Sequence, residues 1–177
     1  MNKSNVRYFA TFVVILAVFG LAYVFTQQDT ASPKPSPVSW KSFNEGAALA
    51  KNSDKKILVD VYTDWCSWCK KMDAEVYTNP KVVEVLNDHF VAVKLNAESN
   101  NPVSFGGHTY TEAEFARRLG VTGYPTTLFF DSNSNPITDF AGYAVADRFS
   151  KVLDFIGRDY YKTTSFQDYM KSNPALP

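Results

Sequence analysis

The chain has 177 residues, of which 45% are hydrophobic and 15% aromatic, enough to bury one good core, so the composition predicts one main domain. Its 18 basic and 18 acidic side chains balance, and this absence of a basic excess argues against nucleic acid as a partner. Two cysteines are too few for a scaffold held by disulfides, so they favour a catalytic pair.

The first 26 residues are predicted to anchor the chain in a membrane. Lys3 and Arg7 precede an apolar run over residues 8–25, in which only Thr11 is conventionally polar. A run of this length just spans a bilayer as a helix, and positive charges before it predict that the N-terminus stays in the cytoplasm. A cleaved signal peptide is the alternative interpretation.

Residues 27–38 are rich in proline and serine, which is typical of a semi-rigid spacer. The rest of the chain, residues 39–177, is predicted to be the folded domain. Together these segments predict a single-pass membrane protein whose folded domain lies outside the cytoplasm. If the apolar run is a cleaved signal, the domain is instead released on that side of the membrane.

Periodicity and turn signals predict alternating helices and strands along the domain. Ser39 is predicted to cap a first helix that carries Trp40, Phe43, Ala47 and Ala50 on one face. The elements predicted next are a strand over 57–62, a helix around the cysteines, a helix from Pro80 and a strand over 90–95. A polar loop over 96–110 follows, and then a helix from the capping box Thr111-x-x-Glu114 to Gly120. The last predicted elements are strands over 126–130 and 137–140, a helix over 146–158 and a short helix after Ser165. This order predicts an α/β fold with a central mixed sheet and helices on both faces.

Cys66 and Cys69 stand between an apolar strand and the start of a helix. A strand that leads into a helix with C-x-x-C in its first turn is typical of a redox motif. A thiol at a helix N-terminus faces unpaired backbone N–H groups and the positive end of the helix dipole, which stabilise its thiolate. A second thiol three residues later lies on the same face, close enough to resolve a mixed disulfide.

A metal site is the alternative use of the two thiols. Zinc requires about four ligands, and only His89 and His108 remain, neither at ligand spacing. We therefore predict a redox pair without a metal or another cofactor. A carrier that binds a soft metal such as Cu(I) through the two thiols is kept as a competing class of function.

Asp60 lies in the middle of the apolar strand that precedes the cysteines. Because burial disfavours a charged carboxylate, we expect its pKa to rise and the group to hold a proton near neutral pH. Such a carboxyl below the cysteines can accept the proton of Cys69 as that thiol attacks a mixed disulfide. An aspartate exposed at a sheet edge, without a catalytic role, is the alternative.

Four motifs in this order resemble the thioredoxin superfamily, and the match spans about residues 40–158. They are Ile57-Leu58-Val59-Asp60, Trp65-Cys66-x-x-Cys69-Lys70, Val93-Lys94-Leu95-Asn96 and Gly123-Tyr124-Pro125-Thr126. Within the superfamily, the chain is most similar to exported, membrane-anchored thioredoxin-like proteins of bacteria, including the C-terminal domain of the thiol:disulfide interchange reductase. The resemblance implies a thioredoxin fold for the domain. It also implies that the membrane is the inner membrane and that the domain lies on the periplasmic side, or is released into the periplasm if the apolar run is cleaved.

The resemblance also implies roles for single residues. Cys66 would be the attacking thiolate and Cys69 the buried resolving thiol. Pro125 would follow a cis peptide bond. The backbone of Tyr124 would pair with a substrate chain, which binds as an added strand.

Two further residues are candidates for the site. Lys94 matches a family lysine beside the acid Asp60, although a strand lysine that faces solvent is the commoner arrangement. Trp65 is predicted to be a platform flanking the reactive sulfur. The dipeptide Ser67-Trp68 departs from the Gly-Pro of cytosolic thioredoxins, and it leaves the redox potential open.

The predicted function is that of an exported thiol–disulfide oxidoreductase. We expect it to reduce protein disulfides with electrons from a membrane electron-donor protein. A disulfide-forming oxidant or isomerase of the same fold is the alternative, and the reduction potential separates the two. The stretch after residue 96 is longer than in small thioredoxins, so it is predicted either to contact a partner or to be a decorated crossover.

Overall fold

The computed structural model of the protein describes residues 37–173. The strands are β1 (Lys56–Tyr62), β2 (Phe90–Asn96), β3 (Pro102–Phe105), β4 (His108–Thr111), β5 (Thr126–Phe130) and β6 (Pro136–Ala141). The helices are α1 (Phe43–Ser53), α2 (Ser67–Glu75), α3 (Pro80–His89), α4 (Glu112–Arg118), α5 (Ala146–Gly157) and α6 (Phe166–Ser172), with a 3-10 turn over Tyr160–Lys162 before α6.

The central sheet has four strands in the order β2-β1-β5-β6. β1 pairs in parallel with β2 and antiparallel with β5, and β5 pairs antiparallel with β6. One hydrophobic cluster lies between the sheet and α2, α3, α5 and α6, and a second lies between the sheet and α1, α4 and the β3–β4 hairpin. The predicted mixed sheet with helices on both faces is confirmed.

Strand β1 is buried on both faces, and its side chains point alternately to one face of the sheet and to the other. Ile57 and Val59 belong to the cluster under α1 and α4, whereas Leu58 belongs to the cluster under α2 and α3. Because successive side chains of a strand point to opposite faces, Asp60 lies on the same face as Leu58. The acid therefore faces the helix that carries the cysteines.

The prediction of a polar loop over 96–110 is wrong for its second half, because β3 and β4 form a hairpin there. Gly106 and Gly107 make the turn with φ of 58° and 79°, a left-handed conformation that favours glycine. Val103 of β3 is buried and packs with Phe115 of α4 in the second cluster. The Gly-Gly pair was the sequence signal for this hairpin, but the polar composition around it hid the two short strands.

The first helix starts three residues later than predicted. Ser42, not Ser39, is its N-cap: the Ser42 hydroxyl accepts from the Glu45 N–H, and the Glu45 carboxylate accepts from the Ser42 N–H. This reciprocal pair satisfies two backbone donors that a helix start otherwise leaves free. Serine followed three residues later by glutamate was the signal that identified Ser42, since Ser39 has no such partner.

The residues before α1 run along the outer edge of β2 instead of forming a helical turn. The Lys41 N–H donates to the Ala92 carbonyl at 2.9 Å, and the Lys94 N–H donates to the Lys41 carbonyl at 3.1 Å. Backbone groups of an edge strand need such partners when they are covered. This segment also brings Trp40 next to the side chain of Lys94.

Three predicted helix starts are confirmed. Thr111 and Glu114 form the capping box of α4, and Pro80 occupies the first turn of α3. The Ser165 hydroxyl accepts from the Asp168 N–H at the start of α6. Each signal is local, so the sequence was sufficient to identify it.

Residues 37–173 include no helix with the length and apolar character needed to cross a bilayer. The predicted anchor over residues 1–26 and nearly all of the predicted spacer over 27–38 fall outside the described residues. The anchor, the spacer and the signal-peptide alternative therefore stay predictions.

Candidate active site

The two cysteines form a disulfide at the N-terminus of α2. Cys66 is the N-cap residue, and its Cα lies 5.3 Å from that of Cys69 in the first turn. The Cys69 N–H donates to the Cys66 sulfur at 3.0 Å. In the reduced protein this N–H and the helix dipole stabilise a thiolate at Cys66 more than one at Cys69, which lies a turn further in.

A short turn connects β1 to the cysteines. β1 ends at Tyr62, and the Cys66 N–H donates to the Thr63 carbonyl at 3.1 Å, so the chain reverses immediately after the strand. In the disulfide form Cys66 is 4% exposed and Cys69 2%. The pair therefore lies at the carboxyl end of β1, almost covered by its surroundings.

Asp60 and Lys94 are direct neighbours in the sheet, because the parallel register of β1 and β2 pairs them. The Lys94 Nζ lies 2.5 Å from Oδ2 of Asp60 and 2.5 Å from Oδ1 of Asp73. Asp73 is four residues after Cys69 on α2, so the two share a helix face. The lysine therefore connects the buried acid to the turn of α2 that follows Cys69.

Burial raises the pKa of Asp60, which is 1% exposed, and the positive charge of Lys94 opposes the shift without cancelling it. Burial also acts to lower the pKa of Lys94, but the carboxylates of Asp60 and Asp73 outweigh it and leave that pKa raised. In this pair the lysine keeps its charge, while the aspartate holds a proton to higher pH than an exposed carboxyl does. The predicted direction for Asp60 is confirmed.

Aromatic rings enclose the ammonium group of Lys94. Its Nζ lies 4.7, 5.1 and 5.4 Å from the ring centroids of Trp40, Tyr62 and Tyr77. Attraction between a cation and a ring contributes about 0.5–2 kcal/mol, more where water is excluded. The lysine is therefore partly buried and held in place, unlike the solvent-facing alternative that the sequence left open.

Buried oxygens without a hydrogen bond of normal geometry lie along this face. Among the described residues they include Oδ1 of Asp60 and the hydroxyls of Tyr77 and Thr127. Thr127 is the direct neighbour of Asp60 on β5, and the pKa of Tyr77 is raised well above its usual value by burial and by the charge on Asp60. Tyr77 and Thr127 therefore place hydroxyl groups beside the Asp60 carboxyl, where they can accompany its gain or loss of a proton.

The Tyr124–Pro125 peptide bond is cis, as the resemblance implied. Thr126, the next residue, begins β5 opposite Val61 of β1. Because β1 and β5 are antiparallel, the start of β5 lies at the sheet end where β1 leads into the cysteines. The Tyr124 ring meets the Trp65 ring edge to face, with centroids 5.9 Å apart.

Two exposed tryptophans flank the cysteines, and each contacts a tyrosine. Trp65 is 65% exposed, and its indole N–H donates to Oε1 of Glu98 at 2.9 Å. Trp68 is 55% exposed and packs against Tyr143 with centroids 5.2 Å apart, while Lys71 Nζ lies 5.3 Å from both of these rings. Exposed aromatic side chains are enriched at protein-binding surfaces, so this surface suits a polypeptide substrate.

Of the residues that the sequence proposed for the site, the structure pairs Cys66 with Cys69, Asp60 with Lys94 and Trp65 with Tyr124, and the cis bond precedes Pro125. Sequence reasoning missed Asp73, Trp40 and Tyr77, which complete the environment of Lys94. Only the spacing of Asp73 from Cys69 was available as a signal, since nothing in the local sequence links Trp40 or Tyr77 to Lys94. The roles of all these residues remain predictions.

The chain matches a family model described as a thioredoxin-like domain over residues 43–157. Thiol:disulfide interchange protein DsbD of Photorhabdus laumondii is 29% identical over 120 residues, which are 67% of this chain and 19% of that protein. DsbD of Salmonella typhi is 30% identical over 151 residues, 79% of this chain and 25% of that protein. The chain thus spans at most about a quarter of the length of these relatives.

Among solved structures, a thioredoxin-fold protein from Helicobacter pylori superposes with a TM-score of 0.59 at 22% identity, over 69% of this chain and 86% of that one. This similarity supports the fold alone. The family model, by contrast, covers more than half of the chain and includes both cysteines and the cis proline. The chain therefore belongs to the thioredoxin-like domain family.

Proposed function

We propose that the protein is an extracytoplasmic reductant of protein disulfides that receives its electrons from a membrane partner. The observation that carries the proposal is the buried Asp60, which Lys94 connects to the helix turn after Cys69. A base near Cys69 can take the proton of that thiol when it attacks the mixed disulfide, which is the step that oxidises the protein. The sequence similarity to thiol:disulfide interchange proteins supports the same chemistry.

The first step is attack by the Cys66 thiolate on one sulfur of a substrate disulfide. A bond forms between Cys66 and that sulfur, the substrate S–S bond breaks, and the other substrate sulfur leaves as a thiolate. The Cys69 N–H, which donates to the Cys66 sulfur, and the positive end of α2 stabilise the attacking thiolate.

The second step is attack by Cys69 on the Cys66 sulfur. The Cys69 thiol passes its proton to the Asp60 carboxylate, the Cys66–Cys69 bond forms, and the second substrate sulfur leaves as a thiolate. After the substrate thiolates take up protons, the substrate has gained two electrons and two protons. The protein has lost two electrons and holds the disulfide, and the proton of Cys69 rests on Asp60 until that carboxyl releases it to solvent.

Binding of the substrate is assigned to the surface beside the cis proline. The backbone of Tyr124 pairs with an extended substrate segment, and the exposed ring of Trp65 covers one side of the reacting disulfide. Main-chain pairing does not depend on sequence, so it suits a reductant that accepts many protein disulfides.

The cycle closes when a donor dithiol reduces the Cys66–Cys69 disulfide. In an oxidising compartment this pair does not stay reduced without such a donor. The predicted N-terminal anchor supports a donor in the same membrane, because it holds the domain close to that donor.

The test is reduction of a protein disulfide by the full-length chain. The reduced protein should reduce insulin stoichiometrically, and Cys66→Ser should abolish the reaction. Cys69→Ser should stop after the first step and accumulate a mixed disulfide, which mass spectrometry detects and which captures native substrates in a cell extract. Insulin reduction by Cys66→Ser, or no mixed disulfide with Cys69→Ser, would overturn the proposal.

A further inference from the structure

A cavity of about 310 Å³ opens beside the cis proline. Its wall includes Gly123 and Tyr124, the two residues before Pro125. On the other side the Gly142 N–H donates to the Pro125 carbonyl at 2.8 Å, so the end of β6 is fixed against the proline. The cavity is thus continuous with the surface to which the substrate backbone is assigned.

The cavity has an apolar floor and a single charge. Val121 and Leu128 on the floor are buried. Asp139 is the one charged residue that lines the cavity, and it stands beside Leu128 because β5 and β6 pair these two residues. Asp139 is exposed, and no described residue makes a hydrogen bond or ion pair to its carboxylate.

We propose that this cavity is a specificity subsite for a basic side chain, lysine or arginine, of the polypeptide whose disulfide is reduced. The proposal rests on the proposed function and names the substrate segment that the same site prefers. Lysine and arginine have long apolar stems that bury against apolar surface while the charged end stays at the rim. Here the stem covers the floor at Leu128, and the charged end meets the carboxylate of Asp139.

The size and position of the cavity agree with one side chain of an extended chain. Its volume is at the lower end of the range of about 300–1,000 Å³ that is typical of small-molecule sites. A segment that pairs with the Tyr124 backbone points alternate side chains toward and away from the protein. A residue near the substrate cysteine therefore reaches the cavity while the cysteine itself faces Cys66.

The test uses the full-length chain and short peptides that contain one disulfide. In each peptide, lysine, alanine or glutamate occupies one of the three positions on either side of the reacting cysteine. At one of these positions the wild-type protein should show a KM for the lysine peptide that is about three- to fivefold lower than for the glutamate peptide, as expected for an exposed charge pair. The kcat should be unchanged, because the subsite does not touch the reacting sulfurs.

Two substitutions of Asp139 decide whether its carboxylate causes the preference for the lysine peptide. Asp139→Asn should remove the preference for lysine, and Asp139→Lys should reverse it in favour of glutamate. Glu84→Gln is the matched control, since it also removes an exposed carboxylate but lies on α3, which packs against the opposite face of the sheet. This variant should keep the preference of the wild-type protein.

The outcomes separate the subsite from the function on which it rests. Equal KM values for all peptides with normal turnover would overturn the subsite and leave the oxidoreductase activity in place. A preference that survives Asp139→Lys would also overturn it. If no peptide is reduced at all, the proposed function fails, and the subsite fails with it.

Discussion

Cys66 and Cys69 differ in their surroundings although both are cysteines of one short motif. Cys66 caps α2 and accepts a backbone N–H, whereas Cys69 lies one turn inside the helix. Since the helix N-terminus stabilises negative charge, the two thiols should not have the same nucleophilicity once the disulfide is reduced.

Alkylation of the reduced protein should therefore label Cys66 first. At a pH near neutral, limiting iodoacetamide should modify Cys66 at least about tenfold faster than Cys69, because a lowered thiol pKa raises the thiolate fraction. Peptide mapping after a short reaction measures the ratio, and the Cys66→Ser and Cys69→Ser variants serve as controls for each thiol alone. Equal labelling, or faster labelling of Cys69, would contradict the assignment.

Asp60 is the residue whose burial has the clearest consequence for the reaction. Asp60→Asn should fill the same space but cannot take the proton of Cys69, so the second step should slow by about 100-fold, the low end of what a general base contributes. Stopped-flow measurement of mixed-disulfide release tests this. Asp73→Asn is the matched control, because it removes the other carboxylate on Lys94 and keeps the base. Turnover equal to that of the wild-type protein would make Asp60 structural.

The same variant should change how stability depends on pH. Because the pKa of Asp60 is raised in the folded protein, the folded state holds a proton that the unfolded state has lost. The free energy of unfolding therefore falls as the pH rises from about 4, the pKa of the unfolded carboxyl, to the pKa of the folded state. At higher pH the lost stability is not regained. Asparagine mimics the protonated acid, so Asp60→Asn should be more stable than the wild-type protein at pH 7, with the difference vanishing near pH 3. Urea unfolding at both pH values measures it.

Among helices and strands, the elements with local signals were predictable and the others were not. β1 and α2 follow from an apolar run and a motif at a helix start, and the start of α4 follows from its capping box. The β3–β4 hairpin was hidden because its strands have four residues each, and their burial depends on α1 and α4. The edge segment at Lys41 pairs only with β2, which lies far away in the sequence.

Asn44 of α1 fixes the hairpin with one side chain. Its amide N–H donates to the Pro102 carbonyl at 3.1 Å, and its amide oxygen accepts from the Ser104 N–H at 2.8 Å. Asn44→Ala should lower the free energy of unfolding by about 1 kcal/mol, since two exposed hydrogen bonds are lost. Hydrogen exchange at the Ser104 amide should accelerate, while alkylation of Cys66 stays unchanged.

The matched control for Asn44 is Asn52→Ala, the same change at an exposed position of the same helix whose side chain has no partner among the described residues. This variant should keep the exchange rate of the hairpin. If both variants change the free energy of unfolding and the exchange at Ser104 equally, the change comes from α1 itself. The contact between Asn44 and the hairpin would then not stabilise the protein.

Across the whole chain, the residues that carry the chemistry could be predicted, but most of the residues that position them could not. Cys66, Cys69 and Asp60 lie within one continuous stretch of β1 and α2, and Lys94 and Pro125 came from the family resemblance. Trp40 and Tyr77 reach Lys94 from segments before α1 and after α2. Their contact depends on strand register and helix packing, and a single sequence does not specify either.

The side of the membrane on which the catalytic domain lies is a separate prediction. Lys3 and Arg7 before the apolar run predict that the N-terminus stays in the cytoplasm and the domain lies outside the membrane. Protease added to intact spheroplasts should digest the domain, with a cytoplasmic protein as the control that survives until lysis. Protection of the domain until lysis would place Cys66 in the cytoplasm. Release of the intact domain into the supernatant would identify the apolar run as a cleaved signal.

The reduction potential of the Cys66–Cys69 couple is the most direct test of the claim that the protein is a reductant. The protein is equilibrated with defined ratios of reduced to oxidised dithiothreitol or glutathione, and the free thiols are counted by mass after alkylation. We expect a potential near that of thioredoxin, about −270 mV, where donation of electrons to protein disulfides is favourable. A potential of about −120 mV, typical of a strong oxidant, would contradict the proposal that the protein is a reductant.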